Sequence, residues 1–410
     1  MNPLLGALLV FILLQGLAGV IDGIRYYQYI HGHLKTPVQD WTPFASVVLP
    51  CKGLDYDMEK NVEALLRQEY PDYEVIFVTA SASDPSVPLL RSLAASVPER
   101  RVKFVVAGVS SERGEKVNNL MQAVTNIAEE SVVYVFADSD SRVSPNWLRD
   151  LISPLRDQGL GACTGYRWFF PVHRNLASVL RSAWNGSIAT LLRDHDHNFA
   201  WGGSMAIRRA VFEQAQVLRY WKHSISDDYS LTRALKDAGF RIHFEPRCLV
   251  ASHGDCNWRE LLEWSTRQIL ITKIYSRRLW QLAFISQFPF LIGWWWGLGA
   301  LVAGFSQFRG QGVDQPGSTS QWWQLGSIMA MICLFGALRG FWRLRAVNLI
   351  FPSERQAINR VWWGYTLLAP LVSTLTAYNL MTSLLTSQLE WRGVRYELKS
   401  DEEVRVVRSG

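Results

Sequence analysis

Apolar and polar positions divide the chain into three regimes. Residues 4–21 (LLGALLVFILLQGLAGVI) carry no charge, and at about 1.5 Å per residue such a run can cross a hydrocarbon core. A cleaved signal peptide is disfavoured, because no basic n-region precedes the run and no small-x-small site follows. Arg25-Tyr26-Tyr27-Gln28-Tyr29 follows instead, a cation with aromatics suited to a membrane interface. Residues 1–24 are therefore expected to be a transmembrane anchor. From 43 to 280 strand-like and helix-like stretches alternate. Strands are predicted at 44–50, 73–79, 102–107 and 132–137, and helices at 57–68, 85–95 and 116–127. That order predicts an α/β domain with a mostly parallel sheet and a functional crevice at the carboxyl ends of its strands. Residues 283–390 are mostly apolar, in blocks at 283–304, 321–338 and 363–386, and 391–410 form a charged tail. Linkers fall at 31–42 and 308–320.

Composition narrows the class. The 410 residues are 49% hydrophobic and only 19% charged, so disorder is excluded, and 18 are Trp, many in the third region. Five cysteines (Cys51, Cys163, Cys248, Cys256, Cys333) show no metal or disulfide spacing and fit a reducing compartment. The net charge of +6 comes mainly from cations flanking the apolar blocks. No basic patch interleaves with aromatics, so nucleic acid is not an expected partner. Lys273, Arg277 and Arg278 before the first block, and Arg339, Arg343, Arg345, Arg355 and Arg360 after the second, put the α/β domain in the cytoplasm. Arg309 and Asp314 cancel in the outer loop. The expected setting is a bacterial inner membrane or its equivalent. Three spans after the domain would leave the tail outside, yet Arg392, Arg395, Lys399, Arg405 and Arg408 argue for inside. A half-membrane helix, or packing that overrides the charge rule, would reconcile the two.

Candidate chemistry begins at Asp138-Ser139-Asp140, directly after the most hydrophobic strand. Alternation along an extended chain lets both carboxylates point one way, as a hard divalent cation (Mg²⁺ or Mn²⁺) requires; an acidic turn before the next helix is the bland alternative. Ser226-Asp227-Asp228-Tyr229 opens a helical pattern. It reads either as an N-terminal cap or as a place for a general base. Lys116, in Gly114-Glu-Lys116-Val-Asn-Asn119, reads as a phosphate-binding cation or a solvated helix-start lysine. Gly202 and Gly203 before Ser204 allow close backbone approach or a tight turn. Asp194-His195-Asp196-His197 offers no third ligand and reads as a solvated loop, while His253-Gly-Asp255 stays open. Trp258–Tyr275 has helical periodicity and reads as an amphipathic interfacial helix covering 258–280, with Trp264 and Arg267 on one face. Trp168-Phe169-Phe170 and Trp258 are expected to settle the domain against the bilayer. A Walker A loop, a GxGxxG fingerprint and a nucleophile elbow are absent from the sequence.

These motifs in this order resemble the GT-A glycosyltransferases of family 2 and the related family containing ceramide glucosyltransferases. The resemblance runs from Leu49-Pro-Cys-Lys52-Gly53 through Tyr70-Pro-x-Tyr-Glu-Val-Ile-Phe-Val78, Ser83-Asp84-Pro85 and Lys116-Val-Asn-Asn-Leu120. It continues through Ala137-Asp-Ser-Asp140, Gly203-Ser-Met205 and Asp227-Asp228-Tyr229 to Trp391-Arg-Gly-Val-Arg-Tyr396. The resemblance implies inverting transfer from a nucleotide-diphosphate sugar, usually UDP-glucose, to a membrane-lipid hydroxyl such as that of ceramide. It implies metal and diphosphate binding at Asp138 and Asp140, and a catalytic base at Asp228. Lys52, Asp84, Lys116, Trp264 and Arg267 fall to the donor, and Gly202, Gly203, Ser204 and Asp227 to the acceptor side. Two departures stand out. Thr79-Ala-Ser-Ala82 lacks the aspartate relatives keep near the nucleobase, and Glu260-Leu-Leu-Glu263-Trp264 carries a glutamate where the motif has a cation. Arg267, one turn on, is the expected substitute. Rival readings are a processive polysaccharide synthase, which needs a polymer channel, and a non-enzymatic membrane scaffold, which has no use for two acidic clusters.

Overall fold

A computed structural model describes residues 2–310 and 316–408. Asp314, the middle of the 308–320 linker and the last two tail residues lie outside the described residues. A long helix α1 (Pro3–His33) leads into β1 (Ala45–Pro50), α2 (Met58–Leu66), β2 (Tyr73–Thr79), α3 (Val87–Ala95), β3 (Arg101–Val106), α4 (Glu115–Val124) and β4 (Val133–Ala137). These match the predicted elements to within a few residues, because each strand is a short apolar run and each helix keeps an apolar stripe. Next come α5 (Trp147–Ile152), β5 (Leu160–Phe170), α6 (Leu176–Ala189), β6 (Ser204–Arg208), α7 (Arg209–Gln214), α8 (Val217–Trp221), α9 (Asp227–Asp237), β7 (Arg241–His253) and α10 (Trp258–Tyr275).

Seven strands form one sheet in the order β3-β2-β1-β4-β6-β5-β7. Pairing is parallel from β3 through β4, antiparallel on both sides of β6, and parallel again between β5 and β7. The sheet is thus mostly parallel, as the resemblance to the GT-A glycosyltransferases implies. Apolar clusters cover both faces, one against α2, α3 and α5, the other against α4, α8 and α9. The first strand-order reversal lies beside β4, so the crevice opens at the carboxyl end of that strand, where Asp138 sits.

The chain continues through α11 (Arg277–Gly310), α12 (Pro316–Ile350), α13 (Arg355–Arg360), α14 (Trp362–Leu367) and α15 (Ala369–Leu385) to β8 (Gln388–Trp391), β9 (Val394–Ser400) and β10 (Glu403–Arg408). Among the described residues, Pro3–His33, Arg277–Ser306 and Ser320–Ile350 are long and apolar enough to cross a membrane. The third apolar block does not give another such helix. It breaks near Leu368, and the 17-residue α15 rises only about 26 Å, short of a hydrocarbon core. The conflict over the tail thereby disappears. Two long helices after the domain return the chain to the domain's side, where the β8–β10 sheet packs on Ile225, Leu270 and Ile271.

The expected bilayer contact of Trp168, Phe169 and Phe170 is corrected. They are 1%, 5% and 3% exposed. Trp168 stacks on Tyr365 at 5.4 Å, Phe169 meets Trp264 edge-on, and Phe170 meets Phe351. The apolar run lies in β5, so it fills the seam between the sheet and the C-terminal helices and faces no lipid. Trp258, 52% exposed at the start of α10, keeps a free ring.

Candidate active site

Asp138 directly follows β4, and the turn after it brings Asp140 round to the same cation, Arg167. Arg167, on β5, donates from Nη2 to Asp138 Oδ2 and to Asp140 Oδ1, both at 3.0 Å, and from Nη1 to Asp140 Oδ2 at 3.1 Å. Its guanidinium also lies 4.8 Å from the ring centre of Trp201. One nitrogen therefore bridges two carboxylates, so the pair already converges on a point of positive charge. That convergence is the donor arrangement a hard divalent ion takes, and the residues fit one. Lys116, near the start of α4, approaches from the other side, 2.9 Å from Asp138 Oδ1 and 3.1 Å from Asp227 Oδ2. Burial opposes its charge, but Asp138 and Asp227 outweigh burial and raise its pKa. Burial likewise opposes ionisation of Asp138, and Lys116 and Arg167 overcome it to hold that carboxyl below its ordinary range.

Ser226 caps α9 by accepting from Tyr229 N, which presents Asp227 and Asp228 in the first turn. They have opposite surroundings. Asp227 turns inward, 3% exposed, and burial pushes its pKa up to about 6 against the pull of Lys116. Asp228 remains accessible. Its Oδ1 accepts from Tyr229 N at 2.8 Å and from Ser226 Oγ, and its Oδ2 receives only a long 3.4 Å contact from Gly202 N. Oδ2 is thus the less engaged of its two carboxylate oxygens. The two glycines serve close approach: a Cβ on Gly202 would fall 2.1 Å from Asp227 Oδ2, and one on Gly203 2.6 Å from Asp138 Oδ2. The cap expected of Ser226 is thus present, and the same turn presents Asp228 beside Gly202.

Other expected positions separate. Ser204, assigned to the acceptor side, is fully buried, accepting from Trp147 Nε1 at 2.8 Å and donating to the Cys248 carbonyl at 3.1 Å. It braces the sheet, and Asp227 likewise faces inward, paired with Lys116. Asp84 accepts from Gly53 N at 3.0 Å and from Ser86, stapling two loops. Lys52 pairs with Glu115 at 2.9 Å at the crevice rim. Trp264 lies edge-on to Trp184 and Phe169 in the aromatic seam, one ring removed from Arg167. Glu263 pairs with Arg259 at 2.6 Å on the exposed face of α10. Arg267 instead stacks on Trp391 at 5.1 Å and has no hydrogen bond or ion pair among the described residues. Burial, with Arg392 and Arg167 nearby, lowers its pKa to about 10. The 194–197 segment is a loop that gathers no metal-type cluster among the described residues. His253 stacks on Phe170 and meets Glu354 at 3.3 Å, and Asp255 bonds the backbone of Val172 and His173.

Two further residues of this region, Arg167 and Arg392, were not among the expected site residues, although Arg392 lies in the Trp391–Tyr396 stretch that carries the resemblance. Arg167 is a lone cation inside an apolar strand, which is itself unusual and was the available clue. Arg392 arrives from the turn between β8 and β9, donating to the Lys52 carbonyl at 2.6 Å and to Asp55 Oδ1 at 2.7 Å. Asp55 in turn accepts from Ser139 Oγ, between the paired aspartates. The tail is fixed further by Tyr396, whose hydroxyl accepts from Glu115 N at 3.2 Å.

Over 130 residues the chain is 25% identical to ceramide glucosyltransferase 1 of Caenorhabditis elegans, covering 32% of this chain and 28% of that one. Over 103 residues it is 28% identical to ceramide glucosyltransferase 3 of the same organism, covering 25% and 22%. The matched stretches thus span less than a third of either relative. Among solved structures, a mannosyltransferase of Pyrobaculum calidifontis in complex with GDP-Man and Mn²⁺ aligns over 92% of this chain and 98% of its own, with TM-score 0.45 and 15% identity. Glucosyl-3-phosphoglycerate synthase of Mycobacterium tuberculosis aligns over 56% and 80%, with TM-score 0.34 and 17% identity. The model of glycosyl transferase family 21 matches residues 16–404, nearly the whole chain, and the protein belongs to that family of glycosyltransferases.

Proposed function

We propose that the protein transfers a hexosyl group, glucose from UDP-glucose, to the hydroxyl of a membrane lipid of the ceramide class on the cytoplasmic face. The observation that carries this reading is the convergence of Lys116, Arg167, Arg267 and Arg392 around Asp138 and Asp140, with the open Oδ2 of Asp228 next to Gly202. Asp138 and Asp140 would hold a Mg²⁺ or Mn²⁺ ion, which when bound neutralises the diphosphate leaving group. Arg267, which stacks on Trp391 and has no hydrogen bond or ion pair among the described residues, binds the diphosphate, and Arg392 holds the loop after β1 over it. Asp228 takes the proton of the lipid hydroxyl as its oxygen bonds to the anomeric carbon. The bond from that carbon to the diphosphate oxygen breaks, its electron pair leaves with the nucleotide diphosphate, and the anomeric centre inverts. Trp258 and the α10 surface support an acceptor that enters along the membrane plane. The names of the nematode relatives support ceramide and glucose as the first pair to try.

The test is a donor screen on the full chain in nanodiscs, with UDP-glucose, UDP-galactose, UDP-N-acetylglucosamine and GDP-mannose. Ceramide, diacylglycerol and a crude lipid extract serve as acceptors, and products are read by mass spectrometry. A monoglycosylated ceramide, absent with EDTA and with Asp228→Asn, is the expected result. A ladder of products, or transfer only to another lipid, would overturn it.

A further inference from the structure

We propose that His33, His243 and Glu245 form a second metal site, for a zinc-class divalent ion, at the seam between the membrane helix α1 and strand β7. Among the described residues this is the one place where three metal-type donors lie within 4.8 Å of one another. His243 and Glu245 alternate along β7, so their side chains leave the same face of the strand. His33 is the last residue of α1 and comes to them from the opposite side. His33 Nε2 is 2.7 Å from Glu245 Oε2, and His243 Nε2 is 3.8 Å from the same oxygen. The imidazole centres are 5.5 Å apart.

An ion pair between His33 and Glu245 accounts for only part of this. It leaves His243 Nε2 directed at the carboxylate from 3.8 Å, beyond good hydrogen-bond range and with no closer partner among the described residues. Buried polar atoms without partners are uncommon and need a cause. A metal ion supplies one. Tetrahedral zinc with ligand bonds near 2.0–2.2 Å separates its donors by roughly 3.3–3.5 Å, midway between the two separations here. The third separation, between the two imidazole nitrogens, is within 4.8 Å.

The surroundings fit a second coordination layer. Arg247 Nη1 donates to the other carboxylate oxygen, Oε1, at 3.2 Å, which leaves Oε2 for the ion. Its Nη2 donates to the carbonyls of His33 and Thr36 at 2.8 and 2.6 Å, fixing the end of α1. Asp150 lies close enough to Glu245, Arg247 and His33 to interact electrostatically, and so offsets added positive charge. Outer hydrogen bonds of this kind orient ligands and tighten metal binding. Two imidazoles and one carboxylate leave a fourth position for water, a donor set suited to zinc, not to the magnesium or manganese that hard oxygen sites take. The site would pin the cytoplasmic end of the anchor to the sheet edge, independently of glycosyl transfer.

Full-length protein in nanodiscs, carrying Asp138→Asn and Asp140→Asn to remove the other metal-type carboxylates, would be stripped with chelator and titrated with Co²⁺ and then Zn²⁺. The expected result is one Co²⁺ per chain with the visible absorption of a four-coordinate ion, displaced by Zn²⁺. Zn²⁺ should also raise the thermal midpoint. Adding His33→Gln and His243→Gln should weaken binding at least 100-fold. Absence of Co²⁺ absorption and of a Zn²⁺-dependent thermal shift in the protein with both histidines intact would overturn the proposal, whether or not the histidine variant folds. Equal binding in a folded histidine variant would overturn it too.

Discussion

Arg392 reaches across 337 residues of sequence to Asp55, at 2.7 Å, and the contact ties the C-terminal sheet to the loop that follows the first strand. Burial raises the Asp55 pKa, and Arg392 is the strongest influence opposing it. The same guanidinium interacts with Asp140 and Asp138. Arg392→Ala should therefore loosen the loop and weaken nucleotide-diphosphate binding about tenfold, near the worth of one charge-assisted hydrogen bond. Arg392→Lys should recover part of the loss. Donor KM or calorimetric affinity reads the effect. An unchanged donor affinity in the alanine variant would reduce the tail to a scaffold.

Arg167 makes a different prediction. It occupies the point where the Asp138 and Asp140 carboxylates converge, so it carries their compensating charge when no divalent ion is bound. Arg167→Met should lower stability in EDTA by about 3 kcal/mol, the scale for breaking a buried ion pair from one side. Saturating Mn²⁺ should restore much of that, and should stabilise the variant more than the parent. Thermal or denaturant unfolding with and without Mn²⁺ decides it. Equal Mn²⁺ shifts in both proteins would mean that the ion and Arg167 do not share those carboxylates.

Asp228→Asn keeps the shape of the α9 cap but removes the carboxylate proposed as the proton acceptor. A loss of about 10²–10⁴ in kcat is expected, the usual range for a positioned general base, with donor affinity changed less than threefold. Single-turnover assays beside nucleotide binding separate the two. A large rise in donor KM with kcat intact would instead place Asp228 in donor binding.

Much of this was legible beforehand because local pattern and tertiary structure agree from β1 to β4. Each strand there is a short apolar run, and Asp138 follows the last one directly. The acidic pair on α9 and its Ser226 cap were legible for the same local reason. Legibility failed where a residue's role is set by distant pairing. Trp168, Phe169 and Phe170 look like an interfacial patch by composition, but β5 pairs with β7 and carries them beneath Tyr365 and Phe351. Arg392 becomes a site residue only because the chain turns back after two long helices. Glu263 seemed to place negative charge beside the donor, yet four residues of helix turn it toward Arg259 while Arg267 faces inward.

The last prediction concerns pH. Burial raises the Asp227 pKa to about 6, above the ordinary carboxylate value, although Lys116 pulls it down. A raised native pKa means that the folded protein holds this proton more tightly than the unfolded chain does. The associated stability is fully present below about pH 4 and is lost as pH rises through 6. Activity should run the opposite way. Only ionised Asp227 shares Lys116 with Asp138 at 3.1 and 2.9 Å, and its protonation leaves the ammonium to Asp138 alone, where it competes with a divalent ion. The kcat/KM of the free enzyme should therefore climb between about pH 5 and 7 with an inflection near 6. Asp227→Asn should remove that inflection, and should flatten the fall in stability over the same interval. A pH–rate profile beside unfolding midpoints at each pH reads both. If the inflection persists in Asp227→Asn, it belongs to another group, and the Lys116 bridge is not what the proton controls.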